Sequence, residues 1–289
     1  MEFKTLGLSQ AEVPVIGLGT WNYSGGIEPL RAGFQHGASL IDTAEIYGTE
    51  ETVGQAIRGI RERVFLATKA RPRNFRRREL ITAAERSLQR LGTDRIDLYQ
   101  LHWPNYTVPI EETMAAMEDL ADQGKICFIG VSNFSVRDLQ KAQAALSKHR
   151  IVSNQVRYSL IERTIENGLL QHCQQNRITL IAYSPLATGL ARIKSADPAG
   201  VLARVAKSSE KTVAQVALNW LIAKPGVIAI PKAANVEHTI ENCDAAGWRL
   251  SQADFDLLET QIRHESRGRV QSAARVWARN LLQFCGRRL

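Results

Sequence analysis

GASLIDTAEIYGTEETVG, residues 37–54, contains an apolar run, an acid at its C-terminal end and a tyrosine in the loop that follows. Within it, SLIDTA (39–44) reads as a strand, Asp42 lies near its end, and Tyr47 comes five residues later. The pattern repeats downstream. VFLATK (64–69) ends on Lys69, and IDLYQL (96–101) runs directly into His102. Working outward, VIGLGT (15–20), CFIGVS (127–132), VSNQVR (152–157), TLIAYS (179–184) and VIAIPK (227–232) complete a set of eight candidate strands. Apolar runs this continuous suit strands covered on both faces, as in parallel sheets.

Helical patterns alternate with these strands. RRRELITAAERSLQRL (76–91) repeats Leu80, Ala84, Leu88 and Leu91 at helical spacing, and Gly92 supplies a stop. EETMAAMEDLADQ (111–123) and SVRDLQKAQAALS (135–147) read the same way, the latter opening on a Ser135/Asp138 capping pattern. Eight alternations predict an α/β fold, a (β/α)8 TIM barrel, rather than an open sheet. FKTL and EVPV, joined by GLSQA, predict an N-terminal β-hairpin across the barrel bottom. Helical patterns at 201–209, 212–223 and 251–263 exceed the eightfold repeat and predict extra helices near the C-terminus. A chain of 289 residues suits one such domain, taken as 1–263, followed by a basic segment, 264–289.

Composition narrows the class. No apolar run approaches the roughly 20 residues of a membrane span, and the N-terminus lacks a signal-peptide core. Cys127, Cys173, Cys243 and Cys285 are far apart; that argues against a disulfide framework or a zinc site and suits a reducing, cytoplasmic setting. The net charge of +8 is uneven: residues 264–289 hold six arginines against Glu265, a net +5. Arg71, Arg73, Arg76, Arg77 and Arg78 form a second basic cluster, read either as a solvated helix start or as an attractor of anionic substrates. Nucleic acid is not expected as a partner.

Strand ends of a parallel barrel converge on one face, where the active site sits. Asp42, Tyr47, Lys69 and His102 there make a proposal for proton chemistry. A tyrosine is a weak acid, with an ordinary pKa near ~10. Lys69 supplies the neighbouring positive charge that favours proton donation, and Asp42 keeps that lysine charged. His102 orients a substrate oxygen. Such a set polarises a carbonyl and protonates the alkoxide, but holds no reductant, so a cofactor is required.

These motifs resemble the aldo-keto reductase superfamily from about Val15 to Ala245. GASLIDTAEIYGTEETVG resembles the first signature, TKA places the lysine on Lys69, and LYQLHWP places the histidine on His102. GKICFIGVSNF resembles the second signature, NQVRYS and AYSPL two further strand ends, and IPKAANVEHTIEN the third signature. The resemblance implies an NAD(P)H-dependent aldehyde and ketone reductase of the alcohol dehydrogenase (NADP+) type, acting as a monomer on a small carbonyl compound. It implies that Tyr47 is the general acid, with Asp42, Lys69 and His102 completing the catalytic set. It places Gly19, Thr20 and Trp21 at the cofactor, Ser132, Asn133 and Gln155 at the nicotinamide carboxamide, and Tyr183 against the ring. Ser184, Leu186 and Gly189 fall along the pyrophosphate, and Lys232, Ala233, His238, Glu241 and Asn242 at the adenosine end. No G-x-G-x-x-G follows a strand, so the Rossmann mode has no support.

Three positions depart from the family pattern. Ala233 stands where NADP-preferring members carry Ser or Thr, His238 where they carry Arg, and Cys127 where a charged residue is usual. The expectation is NADPH, with NADH accepted at a smaller disadvantage than an arginine would impose. Trp21, Tyr23, Phe75, Trp103 and Tyr106 are the expected substrate pocket, an aromatic mouth left open by the short stretch WPNYTVPI (103–110). The end of the chain, VQSAARVWARNLLQFCGRRL, does not resemble the family ending; it reads as a basic amphipathic helix, a packed last helix or a disordered end. Two alternatives stay open: a nicotinamide-binding sensor or auxiliary subunit with negligible turnover, and a Schiff-base aldolase using Lys69.

Overall fold

The structure, a computed structural model, describes residues 1–264. A hairpin of β1 (Phe3–Thr5) and β2 (Glu12–Pro14) opens the chain, antiparallel with Phe3 opposite Pro14. Eight parallel strands follow: β3 (Leu18–Gly19), β4 (Leu40–Asp42), β5 (Phe65–Ala70), β6 (Ile96–Leu101), β7 (Ile126–Ser132), β8 (Ile151–Arg157), β9 (Thr179–Tyr183) and β10 (Val227–Ala229). Each pairs with the next in sequence. The seam closes between first and last: Ile16 bridges Ala229 in parallel, with Gly17 N–H donating to Ala229 O at 2.8 Å and Ala229 N–H to Val15 O at 2.9 Å. The expected (β/α)8 barrel and its hairpin are present.

The seam strands are shorter than the expected 15–20 and 227–232, for two local reasons. Pro231 has no N–H to extend the ladder. A Cβ on Gly19 would lie 2.6 Å from Ile230 O, so only glycine lets the two backbones approach there.

The helices are α1 (Glu28–Gln35), α2 (Glu50–Ile57), α3 (Arg77–Leu91), α4 (Ile110–Asp122), α5 (Val136–Ala144), α6 (Leu169–Gln175), α7 (Leu190–Ala196), α8 (Val201–Ser208), α9 (Val213–Ile222), α10 (Val236–Cys243) and α11 (Gln252–Gln261). Gly92, left-handed at φ 63, ends α3, and the Ser135/Asp138 capping box starts α5. The extra helices fall where the sequence placed them, with α7 an unforeseen addition. Residues 265–289, nearly all of the basic C-terminal segment, lie outside the described residues.

Two cores divide the work. Leu40, Ala67, Leu98, Val152, Ile181 and Ile228 fill the barrel interior, and Leu6 and Val13 of the hairpin segment close it below. The larger core lies between sheet and helices. Lys4 ties the hairpin to the C-terminal end of α9, donating to Ile222 O, Lys224 O and Val227 O at 2.6, 2.9 and 2.8 Å. With its bottom plugged, the barrel offers a ligand only the strand C-terminal face.

Candidate active site

β4 ends at Asp42, in register with Gly19 on β3 and Ala67 on β5. Side chains alternate along a strand, so Ala67 and Lys69 share the inward face of β5, and Leu98 and Gln100 that of β6. Lys69 and Gln100 are register partners, and His102 follows with its N–H on Ala70 O at 3.0 Å. A turn with Tyr47 N–H on Ala44 O at 3.0 Å brings the phenol back over the strand ends.

Lys69 is fully buried. Its Nζ donates to Asp42 Oδ1 at 2.5 Å and to Thr43 O at 2.8 Å, and lies 3.4 Å from Tyr47 Oη. Asp42 Oδ2 accepts from Gln100 Nε2 at 3.0 Å and Gln155 Nε2 at 2.8 Å. Both carboxylate oxygens are therefore satisfied, which offsets much of the cost of burying the pair. Tyr47 Oη and His102 Nε2 are 3.3 Å apart, their rings meeting edge-on at 73°. Trp103 stacks on His102 with ring centroids 3.7 Å apart.

Burial works against the charge of Lys69, but Asp42 and then the Tyr47 hydroxyl outweigh it and raise its pKa. Burial likewise pushes the Tyr47 phenol up; Lys69 pulls it down and Asp42 pushes it up again, for a net rise. Lys69 does pull the phenol down, as the sequence reading expected, but burial outweighs it and the net direction is upward.

A cleft of about 710 Å³ opens above these groups. Tyr47, His102, Trp103, Ser132, Asn133, Gln155 and Tyr183 line its strand-end floor, together with Gly19, Thr20, Trp21 and Asp42. Ser184, Leu186 and Gly189 line it along the loop after β9, and Lys232, Ala233, His238, Glu241 and Asn242 along the rim after β10. Lys69 sits behind Tyr47 and does not reach the wall. Ser132 Oγ donates to Gln155 O at 2.9 Å, Asn133 Nδ2 to His102 O at 3.1 Å, and Tyr183 Oη to Asn133 Oδ1 at 3.0 Å. Asn133, Ser184, Ala187 and Thr188 all have positive φ, between 49° and 62°. For a β-branched residue such as Thr188 this backbone is rare, and such strain collects at functional sites.

Residues 15–262 match the family profile described as the aldo/keto reductase family. The chain belongs to that family. A methylglyoxal reductase of Escherichia coli is 42% identical over 258 residues, covering 86% of this chain and 90% of its own. A glyoxal reductase of Bacillus subtilis is 35% identical, covering 89% and 92%. An aldo-keto reductase from Klebsiella pneumoniae, solved in complex with NADPH, superposes with a TM-score of 0.84 at 41% identity, covering 92% of this chain and 98% of that one. The protein is thus an oxidoreductase by class.

The aromatic mouth of this aldo/keto reductase differs from the expected one. Phe75 is 1% exposed in the outer core, because the short helical turn 72–74 directs it inward, where its carbonyl accepts from Thr113 Oγ1 at 3.0 Å. Tyr23 donates to Gly26 O at 2.9 Å, and Tyr106 donates to Asp138 Oδ2 at 3.2 Å; neither lines the cleft. Ile46 and Leu190, both exposed, join Trp21 and Trp103 in the lining instead. Arg71, Arg76 and Arg77 are paired with Glu45, Glu112 and Asp119, and none of the basic cluster lines the cleft. The sequence reading missed Gln100 and Arg157. A glutamine inside an apolar strand, two residues before His102, was the available signal for the first. Arg157 lies two residues beyond Gln155 on β8, lines the cleft and pairs with Glu162.

Proposed function

We propose that this protein reduces aldehydes and ketones to alcohols with NADPH, with Tyr47 as the general acid. The carrying observation is the position of Tyr47 Oη, 3.4 Å from Lys69 Nζ and 3.3 Å from His102 Nε2, on the floor of the cleft. Small dicarbonyls such as those named for the E. coli and B. subtilis relatives are the first substrates to try. Activity is assigned to one barrel unit, residues 1–263.

The residues present fit a nicotinamide dinucleotide. Ser132, Asn133 and Gln155 bring donors and acceptors for a planar amide beside the Tyr183 ring. The loop 184–189 lines the cleft beside them, with Ser184, Ala187 and Thr188 in left-handed backbone, and offers side-chain and main-chain polar groups to the pyrophosphate. Lys232 has no acidic partner among the described residues and is available to a phosphate. NADPH when bound supplies the hydride. Gly19, Thr20 and Trp21 border it at the seam, and Ala233, His238, Glu241 and Asn242 at the rim; NADH binds more weakly.

The protein's own part is proton delivery and placement. A carbonyl oxygen seated between Tyr47 Oη and His102 Nε2 accepts two hydrogen bonds that strengthen as negative charge develops on it. Tyr47 passes its proton to that oxygen, and Lys69, fixed by Asp42, stabilises the phenolate left behind. Trp21, Ile46, Trp103 and Leu190 present apolar surface to the rest of the substrate. The aldolase alternative fits poorly: imine formation needs a neutral, accessible amine, whereas Lys69 is fully buried and held charged.

The test follows NADPH consumption at the reduced-nicotinamide band, with methylglyoxal and a panel of small aldehydes. The wild type consumes NADPH; Tyr47→Phe binds it with similar affinity and turns over almost none. Binding without consumption by the wild type selects the sensor reading, and undiminished turnover in Tyr47→Phe removes the tyrosine assignment.

A further inference from the structure

We infer that Thr49 is a positioning residue of the catalytic set: its hydroxyl links a buried hydrogen-bonded chain that fixes the backbone at Asp42 and Thr43 and, through it, the aim of Lys69 at Tyr47. This rests on the proposed role of Tyr47 and concerns side chains behind the floor of that same cleft.

Three threonine hydroxyls meet beneath the strand ends, on residues at most 6% exposed. Thr20 Oγ1 donates to Asp42 O at 3.0 Å. Thr49 Oγ1 lies 3.1 Å from Thr20 Oγ1 and 2.9 Å from Thr43 Oγ1. A hydroxyl carries one proton, so the directions follow. Thr20 has spent its proton on Asp42, so Thr49 donates to Thr20. Thr49 has then spent its own, so Thr43 donates to Thr49. The chain runs from Thr43 through Thr49 and Thr20 to the Asp42 carbonyl, beginning and ending on consecutive residues. Each bond in such a chain polarises the next.

Those two residues also supply two of the three partners of Lys69, Asp42 Oδ1 at 2.5 Å and Thr43 O at 2.8 Å. An ammonium has three N–H donors, so holding two of them directs the third. The third faces Tyr47 Oη at 3.4 Å, already long for a hydrogen bond, and a small displacement removes it. A shift of the backbone at 42–43 therefore turns the lysine away from the phenolate it has to stabilise.

The hydroxyl of Thr49 does not serve its own helix. Thr49 is the N-cap of α2, and its carbonyl accepts from Val53 N–H at 2.9 Å. A threonine there ordinarily accepts, through its side chain, from an N–H of the first turn; Thr49 makes no such bond. The helix start is held by the next residue instead. Glu50 accepts from Thr68 Oγ1 at 2.7 Å and from Arg90 Nε at 2.6 Å. Neither Thr43 nor Thr49 lines the cleft, so both act only through other residues.

The experiment is single-turnover reduction of methylglyoxal by the full-length protein loaded with NADPH, which reads the chemical step apart from product release. Thr49→Val keeps the shape and removes the hydroxyl. Its single-turnover rate falls about tenfold, within the roughly 100-fold that a 1 Å misplacement costs. The solvent deuterium isotope effect on that rate rises, because the slowed step is proton delivery. The Kd for NADPH and the half-saturating methylglyoxal concentration stay near wild type, and Thr49→Ser restores the rate. Thr43→Val removes only the first donor of the chain and loses less; with Thr43→Ser it carries the test should Thr49→Val fail to fold. Thr113→Val is the control. Its buried hydroxyl donates to Phe75 O at 3.0 Å away from the cleft, so its loss lowers stability without slowing the single turnover. A Thr49→Val rate equal to wild type, an isotope effect that stays level, a loss that Thr49→Ser does not restore, or one matched by Thr113→Val overturns the inference and leaves the reductase reading intact. A wild type that does not consume NADPH overturns that reading and this inference with it.

Discussion

The cleft holds two acid–base pairs of the same formal kind in opposite surroundings. Asp42–Lys69 lies at the floor, Asp42 lining it and Lys69 behind, with 3% and 0% side-chain exposure and a 2.5 Å contact. Glu241–His238 lies on the rim, its histidine 67% exposed, at 3.0 Å. Attraction between unit charges grows as the surroundings lose water, and so does the cost of leaving one partner alone. The buried pair is therefore a fixed part of the machinery, built from strand ends and satisfied at every oxygen. The exposed pair is a contact that solvent, salt and pH reach. Rate and stability should depend on the first, and little of either on the second.

The floor is where substitution has the largest effect. Tyr47→Phe removes only the proton donor, so kcat falls roughly 100- to 10,000-fold, the usual worth of a general acid. Thermal stability and NADPH affinity stay near wild type, because the ring remains in place. Asp42→Ala leaves Lys69 buried without its counter-charge, and the loss of stability is about 3–5 kcal/mol. Denaturant titration reads this directly; a change under 1 kcal/mol would place the pair in the same energetic class as the rim.

Asp42, Lys69 and His102 were legible in the sequence because strand periodicity shows that they end or directly follow strands and so reach one end of a barrel; Tyr47 was legible as the loop residue five positions after Asp42. Gln100 lay in the same periodicity, but its role depends on Asp42 Oδ2 pointing at it, and that is a fact of three strands at once. The aromatic mouth was the least legible part. Phe75 and Tyr106 flank strand ends as Trp103 does, yet a loop's backbone turns each side chain independently, one into the core and the other toward Asp138. Among the helices after β9, α8, α9 and α11 were legible from their helical patterns; α10 and α7, a seven-residue stretch between Gly189 and Gly200, were not.

Gly130 tests how tightly the floor is supported. A Cβ there would meet Ser153 Oγ at 2.6 Å and Gln100 Cγ at 2.9 Å. Gly130→Ala therefore pushes Gln100, and through it Asp42, at a cost of about 1–3 kcal/mol for overpacking. Activity falls with stability in this variant, without the near-complete loss seen for Tyr47→Phe. A smaller effect concerns pH. A general acid works while protonated, and Tyr47 is held above the ordinary tyrosine value, so reduction persists through neutrality. The alkaline limb of kcat/KM for the reduction lies above about pH 10; a limb well below that would show that cofactor or substrate lowers the phenol more than burial raises it.

Glu241→Gln has the smallest expected effect on stability and separates the two pairs most sharply. An exposed pair contributes at most about 1 kcal/mol, so the melting temperature barely moves. Glutamine still offers both an acceptor and a donor to His238 Nδ1. The variant therefore keeps wild-type stability, read by thermal melting at one pH; a loss above about 1 kcal/mol would place the rim pair in the energetic class of the floor.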